Sequence, residues 1–454
     1  MNELAEAAEF KGVDSELANA EYLFMSSHCG IRGNGIFEQL LLPVKSGDKS
    51  HQWILGGKDG DSGKDFFHHK LRAAFQRARQ AGIANPIAIG AIPFDQTQPA
   101  EITIPCSYEI FSRSLRIKPF IAVKTKQGEC KSPRLLHQKS LPEKQRFKQA
   151  VKQIIANFSL SDIRKAVLSR MLELELDGPV CLNTFFSRLV ALNPSAYHFR
   201  FPLSSGAQLI GASPELLLRR QGAQVYTNPL AGSAKRQGDT AMDKKVSENL
   251  TESAKDAYEH RLVIEDIRAQ LTPLCSELSI PDSPQLMQTS TMWHLSTPIC
   301  GTLANPDMTV LQLACRLHPT PALCGFPTEA AQKLIQLVEP FDRGMFGGIV
   351  GWCDAQGNGE WAVAIRCGLF SGRRVQLFAG AGIVADSDPE SEWQETQAKL
   401  KTMLNALGVD ADMETDGEKA DVIGEGNVRA NKNNSGEIAR AARKPLDTRS
   451  EVSA

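Results

Sequence analysis

Residues 361–407 read WAVAIRCGLFSGRRVQLFAGAGIVADSDPESEWQETQAKLKTMLNAL, and this stretch decides the fold. Two apolar runs, Trp361–Phe370 and Val375–Phe378, have the length of strands. Gly380–Gly382 predicts a tight turn, because glycine tolerates a chain reversal. A helix is then predicted over Asp388–Leu407. Adjacent strands before a helix, without strict alternation of the two, favour an antiparallel α+β architecture over a doubly wound parallel sheet.

The same mixture of elements extends upstream to residue 140. The sequence Ser140-Leu141-Pro142-Glu143 predicts a capping box at the start of a helix that continues to Phe158. Helical spacing returns between Asp243 and Leu271. Four further segments have strand character: Lys165–Leu176, Tyr197–Pro202, Ala207–Ala212, and Leu216–Tyr226 with a turn at Gly222.

The segment from residue 20 to 134 has weaker signals. A helix is predicted over Lys70–Gly82, and strands over Pro86–Pro93 and Ile117–Val123. No catalytic signature is present, so we interpret this segment as scaffold. The last 45 residues, 410–454, contain no aromatic residue and are dominated by polar and charged types, which predicts a disordered tail.

Composition excludes several classes of protein. The chain has 454 residues with 51 basic and 52 acidic side chains, so no net field favours nucleic acid. Ten cysteines without a C-x-x-C pair argue against structural zinc and for reduced thiols. No apolar stretch is long enough for a membrane span, and the acidic N-terminus has no apolar signal core. We therefore expect a cytoplasmic protein.

Two pairs of acidic residues have the spacing of neighbours on one helix face. Asp256 and Glu259 form the first pair, and Glu392 and Glu395 form the second. Carboxylates from two helices, with no Cys or His, are ligands suited to Mg²⁺. Solvated helix faces are the alternative, although the apolar residues beside both pairs make an unpaired carboxylate costly there.

Four other polar residues lie in or beside apolar runs. Lys165 begins a strand and is a candidate base, and Glu215 precedes Leu216 and is a candidate acid. Arg366 is a candidate carboxylate contact, since a guanidinium binds a carboxylate with two parallel hydrogen bonds, and His294 completes the set. The Gly380–Gly382 backbone could bind an anion. Each of the four side chains, taken alone, is more often structural, and a simple tight turn is an equal alternative for Gly380–Gly382.

Taken together, the segments resemble the chorismate-utilising enzymes, which include anthranilate, aminodeoxychorismate, isochorismate and salicylate synthases. The resemblance covers about residues 165–407 in order. It is carried by KAVLSR (165–170), GASPELLL (211–218), NPLAGS (228–233), EHRLV (259–263), HPTPA (318–322) with Gly325, EPFDRG (339–344), GW (351–352), AIR (364–366), AGAGIV (379–384), and DPE (388–390) with Trp393 and Glu395.

The resemblance implies one large domain over 20–408, with a motif-bearing core at 140–408. It implies two packed antiparallel sheets, helices outside and an active site in a cleft. It also implies that Lys165, where the anthranilate synthases have Gln, marks a water-using enzyme. Ala231 stands where aminodeoxychorismate synthases have a nucleophilic Lys. The implied activity is that of an isochorismate synthase of the siderophore type.

Residue roles also follow from the resemblance. Lys165 is expected to be the base and Glu215 the acid. Mg²⁺ is expected on Glu259 and Glu395, with Asp256 and Glu392 behind them. The expected substrate-binding residues are Gly232, Ser233, His294, Ala322, Leu323, Arg366, Gly380, Gly382 and Lys399.

Several alternatives stay open at this point. A salicylate synthase, which also eliminates pyruvate, would differ in the pocket near Ala322 and Leu323. A menaquinone-pathway isochorismate synthase would have the same chemistry, and a catalytically inactive homologue would only bind a metabolite. The resemblance implies chorismate as the substrate. We expect no nucleic acid, no membrane, no glutamine amidotransferase subunit and a monomer.

Overall fold

Residues 21–45, 64–112 and 133–409 are described by a computed structural model, and all of them fall in one compact unit. The predicted tail at 410–454 and the predicted strand Ile117–Val123 lie outside these ranges. Among the helices of the described ranges, none has the length and apolar character needed to cross a bilayer.

Eight α-helices occur in the described ranges. They are α1 (Lys64–Gln80), α2 (Lys144–Phe158), α3 (Leu182–Leu192), α4 (Thr240–Glu252), α5 (Ala254–Leu271), α6 (Val310–Leu317), α7 (Thr328–Val338) and α8 (Pro389–Leu407). A short 3₁₀ turn, Thr272–Leu274, follows α5.

Helix α8 has clear sequence signals at both ends. The Asp388 side chain accepts from the Ser391 amide at 2.8 Å, and Pro389 occupies the first turn, where no backbone N–H is needed. Gly408 ends the helix in the left-handed conformation, at φ 69°. These signals are why the predicted helix and the observed helix agree.

A ten-stranded antiparallel sheet carries most of the sequence motifs. Its strand order is β18 (Gly325–Phe326), β8 (Lys165–Leu176), β22 (Arg374–Ile383), β21 (Cys367–Ser371), β10 (Gln208–Ser213), β9 (Tyr197–Pro202), β1 (Glu21–Met25), β2 (Gly30–Asn34) and β6 (Ser107–Phe111), with β7 (Leu135–Leu141) also paired to β8.

A nine-stranded antiparallel sheet lies against it, and a three-stranded sheet extends the structure. The nine strands, in order, are β14 (Cys275–Ser279), β17 (Ile299–Leu303), β12 (Gln224–Asn228), β11 (Leu216–Gln221), β20 (Gly359–Val363), β19 (Ile349–Asp354), β4 (Ile87–Ile92), β5 (Glu101–Ile104) and β3 (Glu38–Leu40). The three strands are β13 (Leu230–Lys235), β16 (Met292–Ser296) and β15 (Gln285–Gln288).

The hydrophobic core is layered. Phe24 and Phe199 of the ten-stranded sheet pack with Ile89 and Val350 of the nine-stranded sheet, so the two sheets bury their inner faces together. Helices α3 and α8 cover the outer face of the first sheet, and α1, α5 and α6 cover that of the second. The predicted α+β fold with two packed antiparallel sheets is confirmed.

Two of the links that carry the chain between the two large sheets lie next to each other. Pro214 and Glu215 link β10 to β11, and residues 364–366 link β20 to β21. Each link is bonded to a strand that flanks the other link, since the Val363 amide at the end of β20 donates to the Glu215 carbonyl at 3.1 Å and the Ala212 amide of β10 donates to the Arg366 carbonyl at 3.0 Å. Two residues that were predicted to be functional therefore lie side by side in the interior.

Three local predictions were wrong. Trp361–Phe370 is not one strand but two, because Arg366 adopts a left-handed backbone (φ 49°) and redirects the chain. Gly380–Gly382 is not a turn, since it pairs with β8 as part of β22. Ser140 is not a helix cap either. It pairs with Leu172 in β7, and α2 begins after Glu143 without a side-chain cap.

The other predicted elements differ in their ends. The helical spacing predicted between Asp243 and Leu271 belongs to two helices, because Ser253 ends α4 and its hydroxyl accepts from the Asp256 amide at 3.2 Å to begin α5. Helix α1 begins six residues before the predicted Lys70.

Candidate active site

A cavity of about 60 Å³ lies where Glu215 and Arg366 link the two large sheets. The residues predicted from sequence that line it are Glu215, Gly232, Ser233, Glu259, His294, Ala322, Leu323, Arg366, Gly380, Gly382, Glu395 and Lys399. Lys165, Asp256 and Glu392 lie just behind this lining, next to Glu259 and Glu395.

Glu215 is buried in the crossover, with 3 % of its surface exposed. Burial raises the pKa of its carboxyl group to about 7, although the Leu230 amide and the charges of Lys165, Lys399 and Arg366 oppose that rise. The Leu230 amide donates to Oε1 at 3.4 Å. A large fraction of this carboxyl group is therefore protonated near neutral pH, as a general acid requires.

Lys165 is fully buried at the start of β8 and pairs with Glu259. The distance from Nζ to Oε1 is 3.0 Å, which makes the contact an ion pair, although its angles are not those of a hydrogen bond. Burial would raise the pKa of Glu259, but the charges of Lys165 and Lys255 outweigh it and hold that pKa below its usual value. Lys165 therefore contacts Glu259, which lines the cavity, but does not line the cavity itself.

Gly382 makes room for this ion pair. A Cβ atom at position 382 would lie 2.0 Å from Oε1 of Glu259 and 3.1 Å from Cε of Lys165. Gly232, on the opposite side, has φ 76°, and a Cβ there would lie 3.0 Å from Cβ of Asp256. Both glycines therefore allow the acidic helix α5 to approach the strands closely.

Four carboxyl groups gather at this end of the cavity, and lysines balance three of them. Besides the Lys165–Glu259 pair, Lys399 pairs with Glu395 at 2.6 Å and Lys255 donates to Glu392 at 2.7 Å. Burial and the neighbouring charge of Glu395 raise the pKa of Glu392 to about 7.

Asp256 is the fourth carboxyl group, and its pKa is raised mainly by burial. Its nearest partner is the Ser253 hydroxyl at 2.5 Å, while the charges of Glu259 and Glu395 also favour the protonated form. This end of the cavity therefore holds four carboxyl groups and three lysines, and a bound cation would balance the excess negative charge.

The donor set fits a hard divalent cation. Glu259 and Glu395 line the same cavity from two different helices, and both offer carboxylate oxygens. Within the described ranges, no three His, Cys, Asp or Glu residues are close enough to hold a metal on their own. A cation here would have two protein ligands and would need water or substrate oxygens to complete its coordination, a habit of Mg²⁺.

His294 connects Arg366 to Ser233. Arg366 Nη2 is 3.4 Å from His294 Nε2, and Ser233 Oγ is 2.9 Å from Nδ1. Because a guanidinium can only donate, Nε2 accepts and the proton is assigned to Nδ1. Burial and the Arg366 charge lower the pKa of His294 well below its usual value, so the ring is neutral. The Ser233 hydroxyl accepts from the ring and is left to donate into the cavity.

Main-chain N–H groups also face the cavity, although not from a turn. The amides of Val167 and Ser169 in β8 point away from β22, since they donate to Cys324 and Glu339. Gly382 and Gly380 are their paired residues in β22. In an antiparallel pair of this kind, the N–H groups of these glycines point away from β8. Among the described strands, β21 pairs with that edge of β22 only as far as Leu377. The N–H groups of Gly380 and Gly382, which were predicted to bind an anion, therefore lie on an open strand edge and not in a turn.

Sequence reasoning missed two kinds of residue. Lys255 was not predicted, although it precedes Glu259 by four residues on α5 and therefore shares its helix face. Glu339 and Arg343 belong to the EPFDRG motif, but no role was predicted for them. They form a buried ion pair at 2.6 Å beside the cavity wall, and their i,i+4 spacing was the available signal.

The sequence profile described as "Chorismate binding enzyme" matches residues 107–408. The chain belongs to this family. It is 42 % identical over 403 residues to isochorismate synthase EntC of Escherichia coli (strain K12), covering 89 % of this chain and 98 % of that protein. It is 41 % identical over 363 residues to isochorismate synthase DhbC of Bacillus subtilis (strain 168), covering 79 % and 89 %.

Solved structures of chorismate-binding enzymes share the fold. The crystal structure of DhbC from Bacillus anthracis matches with a TM-score of 0.75 and 37 % identity, covering 86 % of this chain and 96 % of that one. Anthranilate synthase component I from Streptococcus pneumoniae TIGR4 matches with a TM-score of 0.64 at 19 % identity, covering 88 % and 95 %, and supports the fold alone.

Proposed function

We propose that this protein is an isochorismate synthase, an isomerase that converts chorismate to isochorismate for catechol siderophore synthesis. One observation carries the proposal. A single cavity brings together Glu215, a buried carboxyl group with a pKa of about 7, and the carboxylates of Glu259 and Glu395. The relatives EntC and DhbC are named isochorismate synthases and match over most of the chain, which supports the same activity here.

The reaction needs one group that gives a proton and one that takes it. Water forms a bond to C2 of chorismate, the two ring double bonds each shift by one position, and the C4–O bond breaks. Glu215 gives its proton to the departing C4 hydroxyl, which leaves as water. Lys165, in its neutral amine form, takes the proton from the attacking water, and the ammonium that results is the species that pairs with Glu259, 3.0 Å away in this structure.

Substrate carboxylates have partners on the other side of the cavity. Arg366 offers a guanidinium that is 6 % exposed and positioned by the crossover, and the N–H groups of Gly380 and Gly382 lie on the open edge of β22. These groups are suited to the enolpyruvyl carboxylate. Lys399 donates to the Gly380 carbonyl at 2.7 Å and so positions this edge while it balances Glu395.

We propose Mg²⁺ as the cofactor, held by Glu259 and Glu395 with Asp256 and Glu392 behind them. When bound, the cation would neutralise the ring carboxylate of chorismate and hold the ring in place. The excess of carboxyl groups over lysines described above supports this assignment.

The choice of water as nucleophile is supported by the residue at position 231. Ala231 lines the cavity without a side-chain amine, and its carbonyl accepts from His260 Nδ1 at 3.1 Å. A covalent route through a lysine at this position is therefore absent from the chain.

The test is a product analysis. Purified protein is incubated with chorismate, with and without Mg²⁺, and the products are resolved by chromatography. Isochorismate formed only with Mg²⁺ is the expected result. Salicylate with pyruvate would reassign the protein as a salicylate synthase, and aminated products formed with ammonia would refute the choice of water. No product under any condition would leave a metabolite-binding homologue.

A cytoplasmic location and a monomeric state are part of the same proposal. Fractionation of cells should place the protein with cytoplasmic markers, and light scattering after gel filtration should give a mass near 49.6 kDa. A siderophore role predicts that cells lacking the protein lose catechol release under iron limitation and keep menaquinone. The opposite pattern would assign it to the menaquinone pathway.

A further inference from the structure

Three apolar residues of the cavity wall are bonded to one buried arginine. Val167, Leu323 and Phe346 all line the cavity and come from three separate segments of the chain. Arg343 Nη2 donates to the Val167 carbonyl and Nη1 to the Leu323 carbonyl, both at 2.8 Å. The Phe346 amide donates to the Arg343 carbonyl at 2.9 Å. The arginine thus links the strand that carries Lys165 to the loop that carries Leu323.

Glu339 completes this arrangement. Its carboxylate accepts from Arg343 Nε at 2.8 Å and Nη2 at 2.6 Å, and it also accepts from the Ser169 amide at 2.7 Å. Both side chains are almost fully buried, and the guanidinium lies 4.3 Å from the ring centre of Phe94. A planar guanidinium with five donors can serve all these acceptors at once, whereas an ammonium group cannot.

We propose that Arg343, held by Glu339, is a positioning residue that sets the apolar wall against the ring of chorismate. The inference rests on the proposed function. The wall contacts the ring in the same way before and during the reaction, so a loosened wall weakens binding more than turnover. The acid and the base keep their places, because Lys165 pairs with Phe326 in β18 and Glu215 lies in the crossover.

The test compares Arg343→Lys with Arg220→Lys, both as full-length protein with Mg²⁺. Arg220 is a matched control, since it is also buried and donates to two main-chain carbonyls, of Pro306 and Gln356, but does not line the cavity. Arg343→Lys should raise the KM for chorismate about tenfold with kcat within about twofold of wild type. Arg220→Lys should change neither constant, while both variants lower Tm by a similar amount.

Two outcomes would overturn the inference: an unchanged KM in Arg343→Lys, or an equal KM change in both variants. If Arg343→Lys does not fold, Glu339→Gln decides. In this variant the amide oxygen at position 339 can still accept a hydrogen bond from Ser169 or Arg343. The KM for chorismate should therefore rise only about threefold, with kcat unchanged. An unchanged KM would refute the positioning role of Arg343.

Failure of the proposed function itself is distinguishable. It would appear first, as wild-type protein that makes no isochorismate. In that case calorimetric binding of chorismate to the same variants still tests the wall.

Discussion

The two sides of the cavity satisfy their buried polar groups to different degrees. On the acidic side, the Lys165–Glu259 pair is 3.0 Å long with poor angles, and the pKa values of Glu215 and Glu392 are raised to about 7. On the apolar wall, the Glu339–Arg343 pair uses short, aligned hydrogen bonds to main-chain groups.

The difference separates two uses of buried charge. A fully bonded buried pair holds the backbone in place, whereas an under-bonded one keeps capacity for a ligand or a proton. Substitutions on the acidic side should therefore reduce turnover or metal binding, and those on the wall should alter affinity for the substrate.

Glu215→Gln should produce the largest effect, a fall in kcat of roughly 10²–10⁴, because an amide cannot give the C4 hydroxyl its proton. Chorismate should still bind, as measured by calorimetry. Glu360→Gln is the matched control, since Glu360 is also a buried carboxyl group with a raised pKa but does not line the cavity. Equal losses of kcat in the two variants would contradict the assignment of Glu215 as the acid.

Glu395→Ala should weaken the Mg²⁺ response and chorismate binding together, each by about 100-fold, because a carboxylate oxygen and the balance of the acidic side are lost. The measurements are activity against Mg²⁺ concentration and calorimetric binding of Mg²⁺ to the free protein. Glu390→Ala serves as control on the same helix, where Glu390 pairs with Lys144 and Lys148 at the surface. Unchanged Mg²⁺ binding in Glu395→Ala would remove this residue from the metal site.

The pH profile should report Glu215 directly. Because its pKa is raised to about 7, the protonated acid is lost above that pH, and kcat/KM should fall about tenfold per pH unit there. The same raised pKa makes the folded state lose stability as pH rises from about 4.5 to about 7. Urea unfolding at a series of pH values would measure this loss. Because the pKa of Glu392 is also raised to about 7, Glu215→Gln should remove only the part of this stability change that comes from Glu215, and a profile that is flat in wild type would argue against the assignment.

Leu323→Val should give the smallest effect. Removal of one methylene from the wall costs about 0.8 kcal/mol of apolar contact, or a rise in KM of about fourfold, with kcat unchanged. Steady-state kinetics with chorismate would measure it, and the same samples should be analysed for pyruvate. A fall in kcat without a rise in KM would show that Leu323 acts in the chemical step. That result would contradict the distinction between the acidic side and the apolar wall.

Sequence alone predicted the fold class and brought together the residues of the acidic side. The strands β8 and β9 and the helix α8 were predicted because their apolar periods and caps are local signals. The motif order then assigned Glu215, Glu259 and Arg366 to one site, and these three residues line one cavity.

The features that could not be predicted depend on contacts between distant segments. The break at Arg366 depends on a left-handed residue whose neighbours are all apolar and strand-like. The glycines at 380 and 382 suggested a turn, because nothing local shows that Glu259 fills the space above Gly382. Arg343 was passed over for the same reason, since its acceptors Val167 and Leu323 come from segments far apart in the chain.

The crossovers at Glu215 and Arg366 also limit how the enzyme can move. Two residues join β10 to β11 and three join β20 to β21, and each link is bonded to a strand that flanks the other. The two large sheets therefore cannot rotate apart at the cavity as rigid lobes do in hinge-closing enzymes. Exchange of substrate and product must therefore use smaller motions, such as those of side chains that line the cavity, so this protein should open its site without a change in overall dimensions.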